Sequence, residues 1–453
     1  MPTTAPLHAS QLTVSSLGEA QIPSPFHIGT AYWADEERRV LVSADTRSLA
    51  SAGPNPPSFE MAGPRPRLFF NPTQITCGIL TCGGLCPGLN NVIRAIVLRL
   101  TYGYGVPRIL GFRYGYAGLN PERGHPPLEL TPDLVEPIHR FGGTILGTSR
   151  GPQPLPVMVS TLQRHNVSIL FVIGGDGTLR GASALRGEID RQGLPIAVVA
   201  VPKTIDNDLA WIERSFGFAT AVDAACDVIT GAHEEARGAW NGVGLVKLMG
   251  RDSGFIAAHA TLSSCDVNFC LVPEVPFTLE GPGGLLEALR ARLALKHHAV
   301  VVVAEGAGQE LMPLDLSARD ASGNRKLADI GVYLRDRIVA DCAARKEEVT
   351  VKYLDPSYSI RSLPANAFDA EFCLALGQHA VHAGLAGRTG LMVGYWNHHF
   401  THVPVEAATV QRQHLDPTGD VWQRVMEATG QAPFLHCQDN SASSPTRSPQ
   451  PPR

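Results

Sequence analysis

Between residues 72 and 404, short runs of branched and aromatic residues alternate with stretches whose apolar positions recur at helical spacing. The runs at 75–81, 108–112, 168–173, 196–201, 244–249, 269–273, 299–304, 348–354 and 391–395 read as strands. Several are apolar at consecutive positions, as strands buried on both faces should be. Helical periodicity lies between them, at 91–100, 219–233, 285–295 and 367–383 for instance, and Gly or Pro stands at most strand exits. This alternation predicts an α/β fold of two Rossmann-like, doubly wound lobes, with the active site in the cleft between them.

Residues 1–71 carry the clusters Gly53-Pro54-Asn55-Pro56-Pro57 and Gly63-Pro64-Arg65-Pro66. They read as an N-terminal extension, partly irregular, with a strand or two near 39–43. The core is expected over 72–404, with one lobe at 72–212 plus a return segment near 357–404, and the other at 213–356. Residues 405–453 form a C-terminal segment whose Ser/Pro/Gln-rich end, from 439, is expected to be disordered.

Composition narrows the function classes. An apolar content of 44%, a charged content of 18% and a net charge of -4 describe a soluble globular chain without the basic excess of a nucleic-acid binder. No apolar run approaches the ~18 residues of a membrane helix. The N-terminus lacks a basic stretch followed by an apolar one, so the cytoplasm is the expected compartment. Nine scattered cysteines fit buried free thiols in a reducing environment. The run Asn397-His398-His399-Phe400-Thr401-His402 is expected to be a surface or pocket-lining loop, since no acidic or thiol ligands cluster with it.

The chemistry gathers at strand exits. The apolar run 169–173 ends in Gly174-Gly175-Asp176-Gly177-Thr178 and leads into a helix. Glycines let backbone N–H groups approach an anion, the helix dipole favours that anion, and Asp176 offers hard oxygens to Mg²⁺. A strand-to-helix turn in any α/β protein can look the same. Gly83 and Gly84 follow another strand in Thr81-Cys82-Gly83-Gly84-Leu85-Cys86-Pro87-Gly88, which matches neither a dinucleotide nor a Walker fingerprint. A third segment, 141–151, is Gly-rich and reaches Arg150 and Gly151; an arginine there either forks onto phosphate or is simply solvated.

The strongest stretch follows the strand 196–201. Pro202-Lys203-Thr204-Ile205-Asp206-Asn207-Asp208 sets a lysine, a hydroxyl and two carboxylates beyond a buried strand. Asp206 and Asp208, two apart, share a face in extended backbone, as suits a base beside a second carboxylate. Three further exits, Met249-Gly250-Arg251, Pro273-Glu274 and the stretch Tyr358-Ser359-Ile360-Arg361, carry groups able to hold a sugar phosphate.

In this order the motifs resemble the phosphofructokinase family, over roughly 74–404, and within it the plant and trypanosomatid type that uses ATP although similar in sequence to pyrophosphate-dependent enzymes. The resemblance implies that Gly83, Arg150, Gly151, Gly175, Asp176, Gly177 and Thr178 line the nucleotide phosphates, with Asp176 at Mg²⁺. It implies Asp206 as the base for the C1 hydroxyl of fructose 6-phosphate, with Lys203, Asp208 and Gly177 in the catalytic set. Thr204, Ile205, Met249, Gly250, Arg251, Glu274, Tyr358 and Arg361 would form the sugar-phosphate pocket. ATP as donor, a cytoplasmic glycolytic kinase and a homo-oligomer, dimer or tetramer, are further implications. Position 177 bears on the donor: the pyrophosphate branch usually carries an aspartate there, whose bulk and charge would crowd a nucleotide's α-phosphate, and this chain has Gly177. Lys203 belongs to the pyrophosphate machinery of that branch and suits either donor. Pyrophosphate-dependent transfer and a non-catalytic regulatory paralogue are the alternatives, since nicotinamide nucleotide and diacylglycerol kinases share only the Gly-Gly-Asp-Gly turn.

Overall fold

A computed structural model describes residues 9–25, 33–313, 319 and 325–431. The Ser/Pro-rich tail expected from 439 lies outside them. In chain order the strands of the two main sheets are β1 (Arg39–Leu41), β2 (Ser58–Met61), β3 (Thr76–Thr81), β4 (Arg108–Phe112), β5 (Leu128–Glu129), β6 (Val167–Gly174) and β7 (Ala197–Pro202), then β8 (Gly242–Leu248), β9 (Phe269–Leu271), β10 (His298–Ala304), β11 (Thr350–Leu354), β12 (Leu391–Trp396) and β13 (His399–Pro404). The helices used below are α1 (Leu89–Leu98), α2 (Asp176–Arg191), α3 (Phe218–Arg237), α4 (Phe255–Ser264) and α5 (Ala367–Leu385).

The fold is α/β, with two main sheets and two small two-stranded ones. A nine-stranded sheet runs β1-β2-β13-β12-β7-β6-β3-β4-β5, and a four-stranded sheet runs β9-β10-β8-β11. The four-stranded sheet is parallel throughout. In the larger one, β12, β7, β6, β3 and β4 are parallel and antiparallel strands close both edges. Alternate residues of β6 explain its unbroken apolar run: Ile169, Phe171 and Ile173 enter one core and Leu170 and Val172 another. The first core continues through α3 onto Val246, Leu248, Val300 and Val302 of the small sheet. One glycine there is forced by close approach: a Cβ on Gly244 would stand 2.6 Å from the Ala232 carbonyl oxygen of α3.

Register positions the chemistry. Thr81 pairs with Ile173, and Gly174 with Pro202, so β3, β6 and β7 end level. The chain leaves β3 for β4 on one side and returns to β6 on the other, which makes the carboxyl ends of β3 and β6 a topological switch point.

Two elements differ from the sequence reading. The histidine run is no loop: Asn397 and His398, at φ 46° and 62°, are the two turn residues of a hairpin, and residues 399–402 lie in β13. Two positive φ angles match the type I′ turn that fits the twist of paired strands, and Asn tolerates that conformation. His402 is fully buried. The second difference lies within residues 1–71: β1 stands where a strand was expected near 39–43, but it and β2 extend the large sheet, β2 pairing with β13.

A buried ion cluster fastens β2 there. Glu60 Oε1 accepts from Arg65 at 2.9 Å, Arg388 at 3.0 Å and His402 Nδ1 at 3.2 Å. Burial pushes the Glu60 carboxyl up, but the His402 hydrogen bond and the neighbouring charges outweigh it and hold the group at about 2. Burial also lowers the His402 pKa, so near neutral pH the two guanidiniums carry most of the effect. Because the folded-state pKa is depressed, this stabilisation is present above the unfolded value near 4.5 and is lost as pH falls from there towards 2. Glu60→Gln leaves two guanidiniums facing an uncharged amide and should cost about 3 kcal/mol or more at pH 7. The penalty should shrink in acid, and guanidinium chloride unfolding at pH 7 and pH 4 measures both; equal stabilities at pH 7 would rule the cluster out as the fastening.

Candidate active site

Three turns meet at the level edge of β3, β6 and β7. After β3, Gly83 turns at φ 85° and its N–H donates to the Ser149 carbonyl at 3.3 Å. A Cβ on Gly83 would lie 3.6 Å from Lys203 Nζ, and one on Gly84 would lie 4.0 Å from an Arg150 guanidinium nitrogen. Gly83, Lys203 and Arg150 therefore gather around one turn. Arg150 is exposed, and Gly151 beside it turns at φ 94°.

After β6 the chain enters α2 directly. Gly175 is the N-cap and offers no side-chain bond, so the first amides of α2 face the edge without an intrahelical carbonyl. The glycines of this turn do different work. A Cβ on Gly174 would meet the Thr178 side chain at 2.5 Å, and one on Gly175 would sit 3.0 Å from the Lys203 carbonyl oxygen. A Cβ on Gly177 would meet nothing within 4 Å. Thr178 is buried, packed on Gly174, with its carbonyl accepting from the Tyr116 hydroxyl at 2.7 Å.

The loop after β7 carries the carboxylates. Lys203 is buried, its N–H donates to the Gly174 carbonyl at 3.0 Å, and burial lowers the pKa of its amine. Asp206 Oδ1 is buried without a hydrogen-bond partner among the described residues. Burial first, then the like charges of Asp208 and Glu305, push the Asp206 carboxyl up to about 7, against Arg361 and Lys203. Asp208 is buried as well and accepts from the Thr204 hydroxyl. Asn207 shapes the loop: at φ 54° it bonds the Glu213 carbonyl at 3.1 Å and accepts from the Ser215 N–H at 2.7 Å. Ile205 is buried behind it.

The small sheet faces this loop. Gly250 follows β8 at φ 121°, and a Cβ there would lie 2.4 Å from the Ser253 carbonyl oxygen. The Ser253 hydroxyl reaches the Asp206 carbonyl at 3.4 Å. Met249 is buried, with its sulfur accepting from Arg361 Nε at 3.2 Å. Arg251 continues the turn, half-buried. Glu274 Oε1 accepts from the Gly254 N–H at 3.0 Å, at the head of α4, and from the Leu415 N–H at 2.7 Å, and burial raises its pKa. Tyr358 is not brought in: its side chain is 82% exposed.

Sequence reasoning missed Arg412. It sits past the expected core, yet its guanidinium reaches Asp176 at 3.4 Å, Asp208 at 3.3 Å and Asp252. Arg412, Asp176 and Asp252 line a cleft of about 390 Å³ together with Arg180, Thr409 and His414, and Asp208 is joined to it through Arg412. No periodic or glycine signal marks Arg412; its position two residues before the exposed His414 gives no hint of the site. Asp252 could have been flagged, because it directly follows Met249-Gly250-Arg251. Among the described residues no group of three His, Cys, Asp or Glu side chains is assembled to hold a metal.

The family model described as phosphofructokinase matches residues 76–384. The chain belongs to the phosphofructokinase family. The resemblance read from the motifs is thereby confirmed, and relatives in the family match well beyond that segment. The ATP-dependent 6-phosphofructokinase of Borreliella burgdorferi is 46% identical over 429 residues, 92% of this chain and 96% of that one. That of Amycolatopsis methanolica is 48% identical over 440 residues, 94% and 96% of the two chains. The Trypanosoma brucei brucei enzyme of the same name is 49% identical over 373 residues, 82% and 76%. Among solved structures, a pyrophosphate-dependent phosphofructokinase from Marinobacter aquaeolei shares the fold, with a TM-score of 0.64 at 20% identity over 84% of this chain and 95% of that one. Among the described residues no helix is long and apolar enough to cross a membrane.

Proposed function

We propose that this chain transfers the γ-phosphoryl group of ATP to the C1 hydroxyl of fructose 6-phosphate, giving fructose 1,6-bisphosphate and ADP. The observation that carries this reading is Asp206: a carboxylate with an unpartnered buried oxygen and a pKa raised to about 7, on the same sheet edge as the glycine-rich turns of Gly83 and Gly175. A group so poised suits a general base at neutral pH. The relatives' names support ATP as the donor.

The roles follow from the chemistry of each group. Backbone N–H groups at Gly175 and Gly177 and the cations of Arg150 and Lys203 hold phosphate oxygens, while Gly83, whose N–H is taken by Ser149, turns the chain beside them and Gly151 and Thr178 shape the same wall. Asp206 accepts the C1 hydroxyl proton as its oxygen attacks, and Asp208 orients the loop through Thr204. Thr204, Ile205, Met249, Gly250, Arg251, Glu274 and Arg361 line the sugar phosphate. One carboxylate at the head of a helix, without a ready cluster of three, fits Mg²⁺ that takes its remaining ligands from phosphate and water. Asp176 would hold that ion, which supplies charge neutralisation to the transferring group. The free state of the eight described cysteines supports a reducing, cytoplasmic location. A homo-oligomer is part of the same proposal, resting on the family resemblance.

A coupled assay of the pure protein with fructose 6-phosphate and Mg²⁺ should give turnover with ATP and little with pyrophosphate. Turnover with pyrophosphate alone would reverse the donor, and none with either would revive the regulatory reading. Asp206→Ala should lower kcat by at least ~100-fold with KM nearly unchanged. Since the base must be deprotonated, wild-type kcat/KM should fall below pH of about 7, and the variant's residual rate should lose that limb. Open space at Gly177 supports room for a nucleotide there. Gly177→Asp should then raise the KM for ATP, and unchanged ATP kinetics would remove the steric basis for the donor.

A further inference from the structure

Arg412 lies beyond the segment matched by the family model. Its guanidinium is the hub of three carboxylates from three places: Asp176 at the head of α2, Asp208 in the loop after β7, and Asp252 after β8. Nη2 lies 3.4 Å from Asp176 Oδ2, and Nη1 lies 3.3 Å from Asp208 Oδ2 while also contacting Asp252. The first two belong to the large sheet and the third to the small one. One arginine thus spans the cleft.

The backbone around it is equally tied to both sides. Arg412 forms an antiparallel bridge with Leu209. The Gln413 N–H donates to the Asp208 carbonyl at 2.8 Å, His414 Nδ1 lies 2.8 Å from the Asp252 carbonyl, and the Leu415 N–H donates to Glu274. The backbone that carries the guanidinium is therefore anchored to both sides of the cleft.

Charge decides what this arrangement does. Three carboxylates converging in a partly buried cleft repel one another unless a cation stands among them. Arg412 is that cation, and its contact on Asp176 uses the hard oxygen that a divalent metal would need. Arg180 pairs with the same oxygen, but from a side chain 58% exposed, where screening weakens it. Arg412 is half as exposed, at 29%, and is shared with the other lobe.

We infer that Arg412 is a positioning residue of the transfer site: it is the counter-cation of Asp176, Asp208 and Asp252, it competes with the divalent metal for Asp176, and it gives up that carboxylate when metal and nucleotide bind together. The inference rests on the reading of Asp176 as the metal carboxylate. Releasing Asp176 frees one arm of the strap formed by residues 409–415, so loading of the site loosens the strap.

Two measurements on the full chain test this without using turnover. Free Mn²⁺, followed by electron paramagnetic resonance, reports metal affinity without nucleotide; Arg412→Gln should bind Mn²⁺ at least about tenfold more tightly than wild type, because a competing unit charge has gone. Arg412→Lys, which keeps the charge but not the fork, should fall between. Unchanged or weaker Mn²⁺ binding in Arg412→Gln would overturn the competition. Hydrogen exchange on the wild type keeps the inference falsifiable should the variants fail to fold. Saturating Mg²⁺ with a non-hydrolysable ATP analogue should speed exchange of the Gln413 and Leu415 amides by about threefold or more. Binding of the analogue with unchanged or slower exchange would sink the release of Arg412 and leave the kinase reading intact. No binding of the analogue at all would remove that reading, and this inference with it.

Discussion

Asp176, Asp208 and Asp252 converge on Arg412, Asp206 lies within electrostatic reach of Asp208 and Glu305, and the rest of the site is arranged around the repulsion among these five carboxylates. Burial, then Asp208 and Glu305, raise the pKa of Asp206, while Arg361 and Lys203 restrain it. Arg412 gathers the other charges. Burial of an unpaired oxygen beside like charges is what brings the Asp206 carboxyl to near neutral pH, and the nearby cations limit how far it rises. The cations are thus as much a part of the site as the acids. Lys203 pays a burial penalty for being there, visible in its lowered pKa, and it stands beside the Gly83 turn.

The fold supplies this density through register. Parallel strands that end level bring separate stretches of chain to one edge, and the switch point between β3 and β6 opens a crevice there. Glycine is needed where two backbones nearly touch, as at Gly250 against Ser253. Gly177 stands apart from these, because no neighbour in the chain demands it. Its missing side chain leaves the space before it open.

The flanking segments close the molecule on both sides of that crevice. Residues from the N-terminal stretch complete the large sheet through a buried ion cluster centred on Glu60. The chain after β13 crosses back over the cleft and reaches both lobes through Arg412 and Leu415. Both are long-range connections between segments far apart in sequence, and both involve charge taken out of water, which makes each dependent on its partners.

Strands, their order of punctuation and the glycine-rich exits were legible in the sequence, because a strand buried on both faces must be apolar at every position and a phosphate-binding turn must do without side chains. Hence β3, β6, β7, β8 and β10 were expected close to where they lie, and Lys203, Asp206 and Asp208 were picked out from their place beyond a buried strand. What stayed illegible depended on partners distant in the chain. His402 reads as a loop histidine until β2 arrives to cover it, Tyr358 reads as a pocket residue until its helix turns it to solvent, and Arg412 carries no local mark of its contacts. Local chemistry determined which residues could act, since backbone freedom and side-chain type are properties of a residue and its neighbours in sequence. Only tertiary structure decided which charges face one another, because electrostatic pairing depends on distance in space, and the chain sets that distance by folding.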